Sequence, residues 1–344
     1  MNLGLNIGYF GTAISDNFGL ISAAEEMGYD SVWTAEAYGS DALTPLAWIA
    51  AKTERIKIGS AVFQIPARTP AMTAMSATTL DIMSNGRFLL GLGVSGPQVV
   101  EGWHGKPFGK PLQVTREYVA ILRKIFARDE PVEFDGTYYQ LPYQGDDATG
   151  LGKPLKIMMK PKNPNMPILI ASIGPKNVEL TAEIADGWLP VFFSPERSAT
   201  IYKPLLDAGF ERSGEADKAD RFAIVPTVSA IVTDDIDAGR LQMKPFLALY
   251  IGGMGAKGRN FYNNLASRYG YEAEAQHIQD LYLAGKKMEA TLAVPDALVD
   301  EVCLVGSSDR IKDRLEAWKE AGVSTLNIAT SDINTLRTIA EHVV

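Results

Sequence analysis

Four side chains in the first third of the chain are of types that move protons: Glu36 and Tyr38 in TAEAY, and Glu101 and His104 in VVEGWHG. A carboxylate enclosed by apolar groups has its ionised form disfavoured, which raises its pKa and prepares it to donate near neutrality. Trp33 and Trp103 are the neighbours that could build such an enclosure. A solvated loop is an equally good reading of Glu101 and His104. A different chemistry is suggested by ASIGPKNVEL, where a strand expected to end at Ser172 runs into a helix. Gly174 permits close backbone approach and Pro175 suits a first helical turn. Lys176 and Asn177 then add a charge and donors to a helix start whose free N–H groups favour anions. These residues can form a phosphate cradle or an ordinary turn with an exposed lysine. Lys257 and Arg259, in GMGAKGRNF, could clasp an anionic tail or sit on a mobile surface loop.

The stretch FLLGLGVSG raises a rival possibility. Gly91, Gly93 and Gly96 follow an apolar run with the G-x-G-x-x-G spacing of dinucleotide-binding folds. That motif needs a helix directly after it and an acidic residue at the end of the next strand. Here Pro97 follows the third glycine, and the next helix is expected from about Leu112. The acid about twenty positions on, Glu117, falls within that helix. A Rossmann nucleotide site is therefore rejected.

The elements that must position these residues alternate regularly. LGLNIGYF, DSVWTAE, RIKIGSAVF and RFLLGLGVS read as strands, separated by the amphipathic runs FGLISAAEEMG, LTPLAWIAAKT and PAMTAMSATTLDIMSNG. LQVTREYVAILRKIFAR closes that half as a helix. PILIASI, GWLPVFF, FAIVPTVSAIV and STLNIAT continue as strands five to eight. Residues 129–166 break the rhythm, with VEFDGTYYQL and LKIMMK expected as two short strands. Residues 234–308 are expected to be mostly helical. Eight strand–helix units in one chain of 344 residues imply an α/β fold, a single (β/α)8 TIM barrel over 1–344 with insertions after the fourth and seventh strands. Sites in such barrels lie at the C-terminal ends of the strands. This restricts the search to loops such as Gly8, Tyr9 and Phe10, Glu36 to Tyr38, Ala61 to Arg68, Ser95 to His104 and Ser172 to Asn177.

Composition narrows the partners. A net charge of −8 argues against nucleic acid. The single cysteine, Cys303, excludes an internal disulfide and reads as a buried apolar residue in EVCLVG. No histidine–carboxylate set has metal-ligand spacing, so no catalytic metal is expected, and His277 and His342 fall on helical stretches away from strand ends. The N-terminus has no export signal and no apolar run reaches the roughly 18 residues of a membrane span, so a cytoplasmic protein is expected.

IGSAVFQIPARTP, SNGRFLLGLGVS and ASIGPKNVELTAEIADGW together resemble the luciferase-like monooxygenase superfamily over nearly the whole chain. They are most similar to the branch that uses the deazaflavin coenzyme F420, with methylenetetrahydromethanopterin reductase and F420-dependent glucose-6-phosphate dehydrogenase. The resemblance implies an oxidoreductase that passes a hydride between C5 of the deazaflavin and a small organic substrate, in a homodimer joined through helices of the second and third units. It also implies a non-prolyl cis peptide at Ala61–Val62, Glu36 near the ring, Ser95, Gly96 and Gln98 at its edge, and Ser172, Gly174, Pro175, Lys176 and Asn177 at the phosphate. Ala37 stands where the sugar-phosphate dehydrogenases carry a catalytic histidine, which argues against that activity. The alternative cofactor is FMN, in a monooxygenase. A barrel glycosidase using Glu36 and Glu101, or a non-catalytic cofactor binder, are the rivals from other classes.

Overall fold

The computed structural model describes residues 1–9 and 17–344. Phe10, expected beside the site, lies outside the described residues. The fold is α/β, with a parallel sheet in which neighbours follow the chain. Asn2–Gly8, Ser31–Thr34, Lys57–Ser60, Phe88–Gly93, Ile168–Ala171, Gly187–Trp188 and Ala223–Ile224 lie side by side, and Thr325–Ala329 flanks Asn2–Gly8 on its other edge. The segment containing Ala223–Ile224 and Thr227–Val232 is bonded on both sides. Val225 N donates to Trp188 O, whereas Asn327 N donates to Pro226 O.

The strand pattern explains two cores. Residues Val32, Ile58, Leu90, Ile168 and Ile170 point to the helices and join the main core. Their alternates Trp33, Leu89, Leu169 and Ala171 meet Leu189, Val225, Ala61 and Val62 in a second cluster on the face away from the helices. Trp33 dominates that cluster, and Gly59 makes room for its ring: a Cβ there would run into the indole.

Helices follow where the apolar periodicity places them, at Phe18–Glu26, Leu43–Lys52, Pro70–Met83, Pro111–Ala127, Pro175–Ile184, Ser308–Glu320 and Ile333–Val343. Some local details differ from what the pattern implies, and others add to it. Pro97–Gly102 is a short helix, because Pro97 occupies its first turn and the Gly96 carbonyl accepts from Val99 and Val100 N–H. Within 129–166 the antiparallel pair is Phe134–Asp135 with Gln140–Leu141, both inside VEFDGTYYQL, while LKIMMK contributes only a bridge from Leu155 to Val132. Buried Glu117 dictates this turn: its carboxylate accepts from the N–H groups of Thr137, Tyr138 and Tyr139. The region 234–308 holds a strand, Leu304–Gly306, beside Ala230–Val232. Cys303 precedes it, fully buried, and burial pushes its thiol up to about 12. Lastly, the glycines of LYIGGMG are packed: a Cβ at Gly252 or Gly253 would lie 2.5 Å from Tyr282. Among the described residues no helix is long and apolar enough to cross a membrane.

Candidate active site

The loops after the second, third and fourth strands meet through one chain of polar contacts. Glu36 Oε1 accepts from the N–H of Gln64 at 2.8 Å, and Oε2 accepts from the N–H of Ala42 at 3.1 Å. Arg68 forks onto both oxygens, and its guanidinium lies over the Phe63 ring, 4.7 Å from the centroid. Such a bidentate pair fixes geometry as well as charge. The carboxylate side chain is only 5% exposed. Gln64, buried, donates through Nε2 to Ala37 O at 3.0 Å, and its Oε1 lies 3.4 Å from His104 Nε2. Lys106 Nζ adds a second tie, to Pro66 O at 2.8 Å.

This arrangement alters the expected roles. Glu36 is enclosed among donors from two loops, which its carboxylate ties together. Trp33 lies in the cluster on the sheet's inner face, its Nε1 bonded to Ser31 Oγ. Trp103 is 67% exposed, and Glu101 is exposed and accepts from the N–H of Phe108 at 3.4 Å. Tyr38 is 61% exposed. Of the four proton-moving candidates, His104 alone is joined through Gln64 to Glu36.

The peptide between Ala61 and Val62 is cis. The glycines of the fourth strand are explained by it and by its neighbour. A Cβ on Gly91 would run into the Ser60 carbonyl oxygen, and one on Gly93 would lie 2.5 Å from Val62 Cγ2. Ser60 Oγ also bridges Gly91 O at 2.8 Å and Gly91 N at 2.9 Å. GLGVSG is thus the sequence of a strand pressed against the neighbouring strand's bulge. Beyond it Ser95 has φ +60°, and Gln98 is exposed beside Gly96.

At the fifth strand end, the helix Pro175–Ile184 has no side-chain cap. Gly174 faces open space, Lys176 is exposed, and Asn177 Oδ1 is buried with no hydrogen-bond partner among the described residues. Ser172 differs from expectation: its hydroxyl is paired with Thr181 Oγ1 at 2.9 Å and its carbonyl accepts from Trp188 Nε1, so it faces the protein. Arg268, which no local pattern singles out, donates to Ile173 O at 2.9 Å and brings a second cation to this loop. Lys257 is paired with Asp280 at 2.6 Å. Aromatic rings from the later insertion close the other side. Tyr250 packs against Phe246, Phe192 and Tyr262, and burial, with Tyr9 and Tyr38 nearby, pushes its phenol up to about 12. Among the described residues no group of histidine, cysteine and carboxylates could hold a metal.

A model of the luciferase-like monooxygenase family matches residues 4–325. A Mycobacterium tuberculosis protein, provisionally named a coenzyme F420-dependent oxidoreductase, is 47% identical over 341 residues, covering 99% of this chain and 98% of the relative. The 5,10-methylenetetrahydromethanopterin reductase of Archaeoglobus fulgidus is 27% identical, covering 88% of this chain and 86% of its own. Among solved structures, the coenzyme F420-dependent tetrahydromethanopterin reductase from Methanopyrus kandleri superposes with a TM-score of 0.83 at 20% identity, covering 99% of this chain and 98% of its own.

Proposed function

We propose a division of labour within a chain that belongs to the luciferase-like monooxygenase family and is a coenzyme F420-dependent oxidoreductase. Gly174, Pro175, Lys176 and Asn177 hold the coenzyme's phosphate; Ala61, Val62, Ser95, Gly96 and Gln98 lie along its ring; His104 handles the substrate's proton. The observation that carries the reading is at residues 174–177: an uncapped helix start beside a buried Asn177 amide oxygen with no partner. In folded proteins such groups are completed by ordered water or by a ligand. An anion fits there, because the Lys176 ammonium and a rotated Asn177 amide present donors at a helix start, although the Asn177 and Val178 N–H groups are already bonded to Gly174 O. When bound, the deazaflavin supplies the carbon that carries the hydride.

The chain's own residues do the rest. Arg68 and Glu36 brace the loop that contains the cis bond, so that the wall offered to a flat ring is held rigid. Phe246, Tyr250 and Phe192 supply an apolar border that excludes water. Glu101 and Tyr38, on the rim, contact substrate without an enclosure of their own. The substrate is a small organic molecule. FMN-dependent oxygenation is the weaker alternative, since the relative at 47% identity, matched over 99% of this chain, is named for F420. A glycosidase is disfavoured by the Glu36–Arg68 pair, which engages one of the two carboxylates it needs.

The parallel order, with the segment 223–232 bonded to neighbours on both sides, supports a closed (β/α)8 barrel forming one domain, with 129–166 and 234–308 as insertions. A homodimer is supported by apolar side chains left exposed on the second and third helices, Trp48, Met72, Met75 and Met83. Fluorescence titration of the purified protein tests the cofactor. Saturable binding of F420 at micromolar concentration is expected; binding of FMN alone would reverse the assignment.

A further inference from the structure

The amide of Gln64 can lie only one way round. Its Nε2 is 3.0 Å from the carbonyl oxygen of Ala37, an atom that only accepts, so the amide nitrogen must be the group placed there. Oε1 is therefore the atom turned to His104 Nε2, at 3.4 Å, and it too only accepts. The hydrogen on that contact must belong to the imidazole. Gln64 cannot swing to suit another arrangement: it is buried, its own N–H is bonded to Glu36 Oε1, and Glu36 is clasped by Arg68. Among the described residues nothing bonds His104 Nδ1.

We propose that Gln64 is a positioning residue that holds neutral His104 as its Nε2–H tautomer, so that Nδ1 carries the lone pair and is the atom at which this ring takes up or releases a proton. The partner of one ring nitrogen sets the state of the other. A proton leaving a substrate hydroxyl is accepted at Nδ1, and the ring becomes an imidazolium with both nitrogens protonated. In the reverse direction the same proton returns to the substrate oxygen. The Nε2–H contact with Gln64 persists in both states, so the transfer requires no rearrangement of the loops that hold the ring. The use of His104 rests on the function proposed above; its tautomer does not.

Because the chain has only three histidines, the ring is directly observable. Protein labelled with 15N in its imidazoles, examined at about pH 8, above the ordinary histidine range, gives the state of each nitrogen. His104→Asn identifies the signals. The expected result is a protonated Nε2 whose hydrogen exchanges slowly with water, and an unprotonated Nδ1. Gln64→Leu should give a tautomer mixture and speed that exchange at least tenfold, about the effect of losing one hydrogen bond. An Nδ1–H ring in the wild-type protein overturns the proposal whether or not the variants fold, as does a Gln64→Leu spectrum unchanged in tautomer ratio and exchange. F420 titration of the same samples separates the two readings. An Nε2–H ring in a protein that binds no F420 supports the tautomer and overturns the cofactor assignment.

Discussion

Around Glu36 both carboxylate oxygens are engaged, by Gln64, Ala42 and Arg68, whereas at Asn177 the helix start has no side-chain cap and, among the described residues, a buried amide oxygen has no partner. Both regions sit at strand ends of one sheet and both are rich in polar groups. The first is tied together by contacts within the chain. In the function proposed above, Glu36 is accordingly a brace and the Pro-Lys-Asn turn is where an anion docks.

The comparison is most exposed to attack at Arg68. Removing it leaves a buried carboxylate without its counter-charge, so Arg68→Ala should cost about 3–5 kcal/mol of stability in urea denaturation. A loss below about 1 kcal/mol would mean the network is not a brace. Two glycines sharpen the contrast. Gly91→Ala puts a methyl into the Ser60 carbonyl and should lose about 1–3 kcal/mol, whereas Gly174→Ala meets nothing and should stay within about 0.5 kcal/mol. At the open region, Lys176→Ala should weaken F420 binding about tenfold, roughly 1.4 kcal/mol, with the denaturation midpoint unmoved. A variant that binds F420 as tightly as wild type would remove the lysine from the site.

The smallest effect concerns a second carboxylate whose partners all lie within the chain. Burial alone raises the pKa of Glu117, but the N–H bonds from Tyr138, Thr137 and Tyr139 and the Gln113 amide outweigh it and hold the group below its ordinary value of 4.5. Its stabilisation is therefore fully present above that ordinary value and lost as pH falls through the lower, folded one. Hydrogen exchange at residues 137–139 should accelerate on acidification in the wild type. In Glu117→Gln it should already be faster at neutral pH and respond less to acid.

How much of this could be read from the sequence depends on the range of the contacts. Strand–helix alternation is local, and the sheet follows it strand for strand. The cis bond at Ala61–Val62 was legible through resemblance, because a family carries its backbone geometry along with its motif. Contacts across the chain were not legible. Arg68 is remote in sequence from Glu36, and neither TAEAY nor IPARTP hints that the two pair. Arg268 approaches the fifth strand end from a helix in the insertion that has no motif. Leu304–Gly306 is too short for its alternation to stand out next to the helix Asp296–Val302. Lys257 looked like a free cation only because Asp280, its partner, is a helix away.

The buried thiol of Cys303 makes the molecule its own clock. With its pKa pushed up to about 12 and no access to solvent, the single cysteine is silent to alkylating reagents while the surrounding core is closed. Modification then counts openings of the chain around Leu304–Gly306, and its rate reports their free energy. The same silence leaves any cysteine engineered onto the surface as the sole point of attachment for a dye, so distances between the loop of Glu36 and the turn at residues 174–177 can be followed without altering the native sequence elsewhere.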